Sequence, residues 1–297
     1  MTAPSAILCI GSVLWDVIGR APTPMGAGAD VPGRIVRRPG GVAMNVGITL
    51  TRLGLRADLL SAVGRDGPGD ELVAEADRLG LGVAHLDRAE GQPTDRYMAI
   101  EDSTGLIAAI ADAHSLEAAG DRILAPLLDG RIATAAAPFA GVAVLDGNLS
   151  DALLGEIATG DWLAAADLRV APASPGKAHR LRPLFPHPRV TFYVNLEEAG
   201  TILGTPPRDT GTAAEALIAR GAARALVTDG GRAAALADAH TVITRTPPAV
   251  AVTGVTGAGD TFMAAHIAAE LSGEAPDAAL SAALAAAAAH VSQEVHP

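Results

Sequence analysis

Short apolar runs alternating with helix-spaced runs that stop at glycine constrain the fold of this chain more than any other feature. Residues 6–10 read as a strand, after which Gly11 and Ser12 turn the backbone. Residues 42–53 carry apolar side chains at helical spacing and end at Gly54; residues 57–63 read as a strand, and 70–79 as a helix stopped by Gly80. Strands are expected again at 142–146, 164–167, 191–194 and 225–228, with helices between several of them. A strand, a helix and a second strand return the chain parallel to itself, so the expected class is α/β: a doubly wound, mostly parallel sheet with helices on both faces.

The 297 residues are 49% hydrophobic but only 3% aromatic, so Val, Leu, Ile and Ala must fill the core, as is usual in helix-covered parallel sheets. That length suits one domain, 1–297, with two excursions at about 19–39 and 95–111. The first is rich in Gly, Pro and Ala, with an alternating piece at 34–38; the second places two apolar runs around the turn Asp102-Ser103-Thr104-Gly105. Together they are expected to pair as a small β-sheet lid. Residues 171–188 read as a loop because of their prolines and Gly176.

A net charge of -11 opposes binding to nucleic acid or to anionic membranes, so neither is expected as a partner. The single cysteine, Cys9, rules out an internal disulfide, and the eight histidines show no zinc-site spacing. The apolar run at 7–10 lacks a basic segment before it and reads as a strand rather than a signal peptide, while the alanine tract 282–289 is too short to cross a bilayer. A cytoplasmic location is the expectation.

The most informative stretch is Val252-Thr253-Gly254-Val255-Thr256-Gly257-Ala258-Gly259-Asp260-Thr261-Phe262, a glycine-rich turn that leads into a helix. Small residues let successive N–H groups approach an anion, and the helix start adds positive potential. Asp260 directly follows the last glycine, where a carboxylate can take a proton from an acceptor hydroxyl; a helix-capping aspartate is the other reading of the same position. The stretch has no lysine, so it is not a Walker A loop, and it lacks the third glycine of a dinucleotide fingerprint.

Residues Thr256 to Phe262 resemble the C-terminal signature of the ribokinase-like (PfkB) kinases, and Pro39-Gly40-Gly41-Val42-Ala43-Met44-Asn45-Val46-Gly47 resembles the N-terminal one. The resemblance implies ATP-dependent phosphorylation of a sugar or nucleoside hydroxyl, with Asp260 as base and the backbone of Gly257, Ala258 and Gly259 as anion hole. It further implies sugar binding by Ser12, Asp16, Gly40, Gly41 and Asn45, and nucleotide contact by Asn195, Thr228, Gly230, Gly231 and Thr256. Glu198, in an Asn-x-x-Glu motif, is implied in organising magnesium and phosphate. Family members often pair through their lids, so a homodimer is expected.

Two departures stand out. Relatives often carry an aspartate where this chain has Gly254, which makes potassium activation doubtful, and the usual Lys-Pro before Asn-x-x-Glu is Tyr193-Val194. Residues 32–35, 60–64, 94–112 and 146–150, with Asp167 followed by Lys177, are similar to the pseudouridine-kinase branch. That branch implies pseudouridine as acceptor and puts Thr94, Asp112 and Asn148 near it. A free sugar, another nucleoside, or a catalytically silent ligand sensor remain as alternatives, the last opposed by the retained Asp260.

Overall fold

The computed structural model describes residues 7–292, so Ala6, the first residue of the expected opening strand, lies outside them. In chain order the strands are β1 (Ile7–Ile10), β2 (Leu14–Arg20), β3 (Arg34–Gly40), β4 (Ala57–Leu60), β5 (Arg96–Asp102), β6 (Gly105–Asp112), β7 (Val142–Asp146), β8 (Asp167–Ala171), β9 (Val190–Asn195), β10 (Arg224–Thr228), β11 (Ala234–Asp238) and β12 (Val242–Arg245). The helices are α1 (Val42–Arg52), α2 (Gly67–Arg78), α3 (Ser115–Ala119), α4 (Ala125–Leu128), α5 (Asp151–Thr159), α6 (Leu196–Leu203), α7 (Thr210–Ala219), α8 (Ala258–Leu271) and α9 (Pro276–Ser292).

Eight strands form the central sheet in the order β12-β11-β10-β9-β8-β7-β1-β4. All pairings from β10 to β4 are parallel, and β11 and β12 close one edge antiparallel. Side chains alternate across each strand, so both faces receive apolar groups. Leu8, Ile10, Leu60 and Leu145 enter the layer covered by α3 to α7, whereas Ile7, Cys9, Leu59 and Val144 enter the layer covered by α1, α2, α8 and α9. Alanines of α8 and α9 let these two helices approach closely, and Phe192, stacked on Phe185 at 4.6 Å, is one of the few aromatic rings in the core.

The four remaining strands form the second sheet, β3-β2-β5-β6. Here β2 pairs antiparallel with β3 and parallel with β5, so the two excursions become one lid. The lid starts earlier than expected, because β2 begins at Leu14. Register places Ile35, Met98, Ile100 and Ile110 on its outer face, where all four are exposed, and Asp16, Tyr97 and Ala111 on the inner face.

Other differences have local causes. The strand expected at 164–167 is β8, at Asp167–Ala171; Arg169 interrupts its apolar run, yet is only 4% exposed because its guanidinium pairs with Asp167 and Glu270. Strands β11 and β12 were not expected from their alanine-rich and polar sequences. Within 171–188 the segment Pro175–Leu184 is a 3₁₀ helix, and Ala178, Leu181 and Leu184 are buried at the three-residue spacing of that helix.

Candidate active site

The carboxyl ends of β1, β7, β8, β9 and β10 open beneath the inner face of the lid into one cleft of about 770 Å³. It is lined by Ser12, Asp16, Gly41, Asn45, Asn148, Asn195, Glu198, Thr228, Gly230 and Thr256, and by Gly257 through Asp260. Sequence positions more than 200 residues apart thus share one site.

Ser12 organises one wall. Its Oγ donates to Asp146 Oδ2 at 2.8 Å and accepts from the Val42 N–H and from Asn148 Nδ2, each at 2.9 Å. Gly41, the residue before α1, has φ of +93°, and a Cβ there would stand 2.4 Å from the Ser12 carbonyl oxygen, so only glycine lets the helix start this close to β1. Asp146 is fully buried; its Oδ2 accepts from the Ser12 and Ala43 N–H groups and its Oδ1 from the Asn148 N–H. Burial raises its pKa above the usual carboxylate range against those hydrogen bonds.

Asp16 extends from β2 beneath the lid, and burial raises its pKa while the Arg38 guanidinium, 3.8 Å away, opposes the shift. Gly40 does not line the cleft; it packs on Asp16, whose carboxyl lies where a Cβ would be.

Asp260 sits in the first turn of α8, and its Oδ2 accepts from Asn45 Nδ2 at 2.8 Å. Its pKa is pushed up to about 7, chiefly by desolvation; the Asn45 hydrogen bond opposes this, and the charges of Asp146, Asp16 and Glu198 add to it. Before it, Gly257 takes a left-handed φ of +83° and no side chain caps the helix. The Ala258 N–H closes a turn on the Val255 carbonyl at 3.2 Å, so the expectation that it serves as an open anion donor needs correction. Open donors at this helix start are the N–H groups of Gly257, Gly259 and Asp260.

On the opposite wall, Asn195 and Glu198 form a reciprocal capping box at the start of α6, the Asn195 Oδ1 accepting from the Glu198 N–H and the Glu198 Oε2 from the Asn195 N–H. The Glu198 carboxyl is pushed up to about 7, first by burial, with its neighbour Glu197 adding repulsion.

Besides Gly40, three expected residues fall outside the cleft. Thr94 is 1% exposed; its N–H and hydroxyl both donate to Asp66, which caps α2, so Thr94 fastens the lid to that helix. Asp112 is exposed on the outer face, because strand alternation turns Ala111 and Ala113, not Asp112, toward the cleft. Gly231 is exposed in the turn beyond Gly230.

The site also uses groups the sequence did not single out as site residues. Asp146 is one: it closes a fully buried strand and, from behind the cleft wall, holds Ser12 and the Asn148 backbone. Lys177 is another: its ammonium donates to Asn148 Oδ1 at 2.8 Å, and it is the one lysine among the 22 Lys and Arg residues of the chain. Tyr193, the departure before Asn-x-x-Glu, lines the cleft with its ring anchored from behind: Arg169 donates to its Oη, which is also hydrogen-bonded to His266 Nδ1, both at 2.8 Å. His266 is fully buried, and desolvation lowers its pKa to about 4, so its ring is neutral.

A doubly wound sheet with a β-lid over a glycine-rich helix start and a nearby carboxylate is the architecture of the ribokinase-like kinases. The structure of Arabidopsis thaliana ribokinase complexed with ribose and ATP superposes with a TM-score of 0.75 at 18% identity, covering 99% of this chain and 94% of that one. The description pfkB family carbohydrate kinase matches residues 5–295, and the chain belongs to that family. Pseudouridine kinase of Escherichia coli (strain K12) is 36% identical over 107 residues, 36% of this chain and 34% of that protein. An uncharacterized sugar kinase of the same organism is 34% identical over 153 residues, 50% of this chain and 40% of that protein. The chain therefore spans two fifths or less of the length of these curated relatives. Among the described residues, no helix is long and apolar enough to cross a membrane.

Proposed function

We propose that the chain transfers the γ-phosphoryl group of ATP to the 5′-hydroxyl of pseudouridine, giving pseudouridine 5′-phosphate and ADP. The observation that carries this reading is the placement of Asp260, a carboxylate with a pKa near 7, beside the open N–H groups of Gly257 and Gly259 in a cleft that Ser12, Asp16 and Asn45 also line.

The chemistry follows from that placement. Asp16, Gly41 and Asn45 hold the ribose, and Asn45 also aims the Asp260 carboxylate through its hydrogen bond. Asp260 takes the proton of the 5′-hydroxyl as its oxygen attacks the γ-phosphorus, the bond to the bridging oxygen breaks, and ADP leaves with the electron pair. The N–H groups at the start of α8 stabilise the charge on the transferring group. Asn195, Thr228, Gly230 and Thr256 contact the nucleotide.

Magnesium fits the donor set. Asp16, Glu198 and Asp260 line the same cleft and repel one another, and Glu198 is desolvated with one oxygen free of the Asn195 N–H. Among the described residues, no cluster of three His, Cys, Asp or Glu forms a closed metal cage. Magnesium commonly keeps waters and relies on phosphate oxygens, so Glu198 would hold it with the ATP phosphates, and the ion would supply charge neutralisation. At Gly254 a Cβ would stand 3.4 Å from an Arg20 guanidinium nitrogen, a setting that supports little or no use of potassium. The exposed outer face of the lid supports a homodimer, the net charge of -11 supports an enzyme without nucleic-acid partners, and the single cysteine fits a reducing cytoplasm.

Pseudouridine as acceptor draws support from the 36% identical segment and from the polar groups around Asn148. The test is kcat/KM for pseudouridine, uridine, ribose, adenosine and fructose at saturating Mg-ATP. Uridine lacks the second ring N–H of pseudouridine and would leave an acceptor placed for it unpaired, so pseudouridine is expected to win by about tenfold to a hundredfold. A win by ribose or fructose removes the pseudouridine assignment and leaves a sugar kinase.

A further inference from the structure

We propose that Lys177 is a substrate-reading residue: its ammonium donates to an oxygen of the acceptor substrate remote from the hydroxyl that is phosphorylated. On the function proposed above, on which this assignment rests, that oxygen is a carbonyl of the pseudouracil ring.

The composition gives the first argument. Every other basic position among the 22 Lys and Arg residues is arginine, so this chain uses the guanidinium for ion pairs throughout and keeps an ammonium at one place. Lysine differs from arginine in presenting a compact charge with three rotatable donors on a thin stem, where arginine presents a planar fork. That place is the cleft, where Lys177 is the one cationic side chain among lining residues that include the carboxylates of Asp16, Glu198 and Asp260.

Its bonding gives the second argument. Lys177 is not spent on an ion pair: its hydrogen-bond partner is the neutral amide oxygen of Asn148. An ammonium can only donate, so Asn148 must turn its Oδ1 toward Lys177 and its Nδ2 toward Ser12 Oγ, as observed. One of the three ammonium donors is thereby used, and the other two have no hydrogen-bond or ion-pair partner among the described residues. The backbone beneath is fixed, since the Lys177 N–H donates to the Ser174 carbonyl at 3.0 Å and the adjacent Ala178 is buried.

Position decides what it reads. Through Asn148 and Ser12 the lysine is tied to the ends of β1 and β7, the wall on which Gly41 and Asn45 also stand. The capping box of Asn195 and Glu198 stands across the cleft at the end of β9, and the open N–H groups belong to the start of α8. The ammonium is therefore bonded into the acceptor half rather than the phosphate half.

The experiment compares wild type, Lys177→Met and Lys177→Arg on pseudouridine and on free ribose, with thermal melts to verify folding. In Lys177→Met the ratio of kcat/KM between pseudouridine and ribose is expected to fall about tenfold to a hundredfold, carried mainly by KM, and Lys177→Arg is expected to restore only part of it. Equal losses on both acceptors, or a fall in kcat alone, overturn the assignment and move Lys177 to the phosphates. A second readout needs no variant that must stay active. Reductive methylation with isotope-labelled formaldehyde marks one side-chain amine in the whole chain, and its NMR signal, assigned by its absence from Lys177→Arg, is expected to move on adding pseudouridine and not on adding ribose. A shift with nucleotide alone overturns the proposal. If the wild-type enzyme prefers another acceptor, both readouts are taken with that acceptor and its analogue lacking the distal oxygen. Failure of the pseudouridine reading thus shows in the wild-type panel, and failure of the lysine assignment shows in the variant ratio and the methyl signal.

Discussion

Asp260→Asn should make the free protein more stable while removing its activity. Desolvation and three neighbouring carboxylates raise the Asp260 pKa from 3.8 to about 7, a shift of roughly three units. At about 1.36 kcal/mol per unit the ceiling is about 4 kcal/mol, and water in the open cleft reduces this to about 2 kcal/mol. The sign follows from linkage: a carboxylate whose folded pKa is raised favours the protonated form, so the native state carries no penalty below about pH 4. The penalty grows as the pH rises toward 7 and is complete above it. Asparagine has no proton to lose and keeps an oxygen for the Asn45 amide. With about 2 °C per kcal/mol at this chain length, Asp260→Asn is expected to melt about 4 °C above wild type at pH 8 and level with it at pH 4. Thermal melts of both proteins without nucleotide, across that pH range, make the comparison. A gain of the same size at every pH, or none at pH 8, would refute the electrostatic reasoning and favour a plain helix-capping role.

Three further outcomes are expected. Because the base must be ionised, kcat/KM for the acceptor should rise with pH along an acid limb centred near pH 7; a limb near pH 4 would mean that Asp260 is not desolvated in the free enzyme. Turnover in sodium-free buffer should change less than about twofold on adding potassium, given Gly254, and a large stimulation would show that other oxygens bind the ion. Tyr193→Phe leaves Arg169 and His266 without the hydroxyl that joins them, so denaturant unfolding should show a loss of about 1–3 kcal/mol; an unchanged midpoint would mean that the two groups find each other or water instead.

Legibility from sequence varied with how far a residue's meaning lay from it along the chain. Strand β7 was readable to its end residues because Val142–Asp146 is an apolar run between turn signals, and α1 and α8 announced themselves through Gly41 and Gly257. Strand β8 was misplaced because the cover for Arg169 comes partly from Glu270, 101 positions away. Asp112 ends β6 and Thr94 stands just before β5, but strand alternation and the Asp66 cap turn them away from the cleft. Lys177 acquires its significance only beside Asn148, 29 positions earlier, although its being the sole lysine was visible from the start.

The central claim is that this cleft moves a phosphoryl group from ATP to pseudouridine, and the product of a single turnover tests it most directly. Enzyme in excess over ATP labelled at the γ-position is mixed with magnesium and pseudouridine, and the products are separated. The account predicts that the label leaves ATP for the 5′-oxygen of pseudouridine, and that Asp260→Asn slows this by about a hundredfold or more while ATP binds with nearly unchanged affinity. Label that stays on ATP, or appears only as inorganic phosphate, would contradict it.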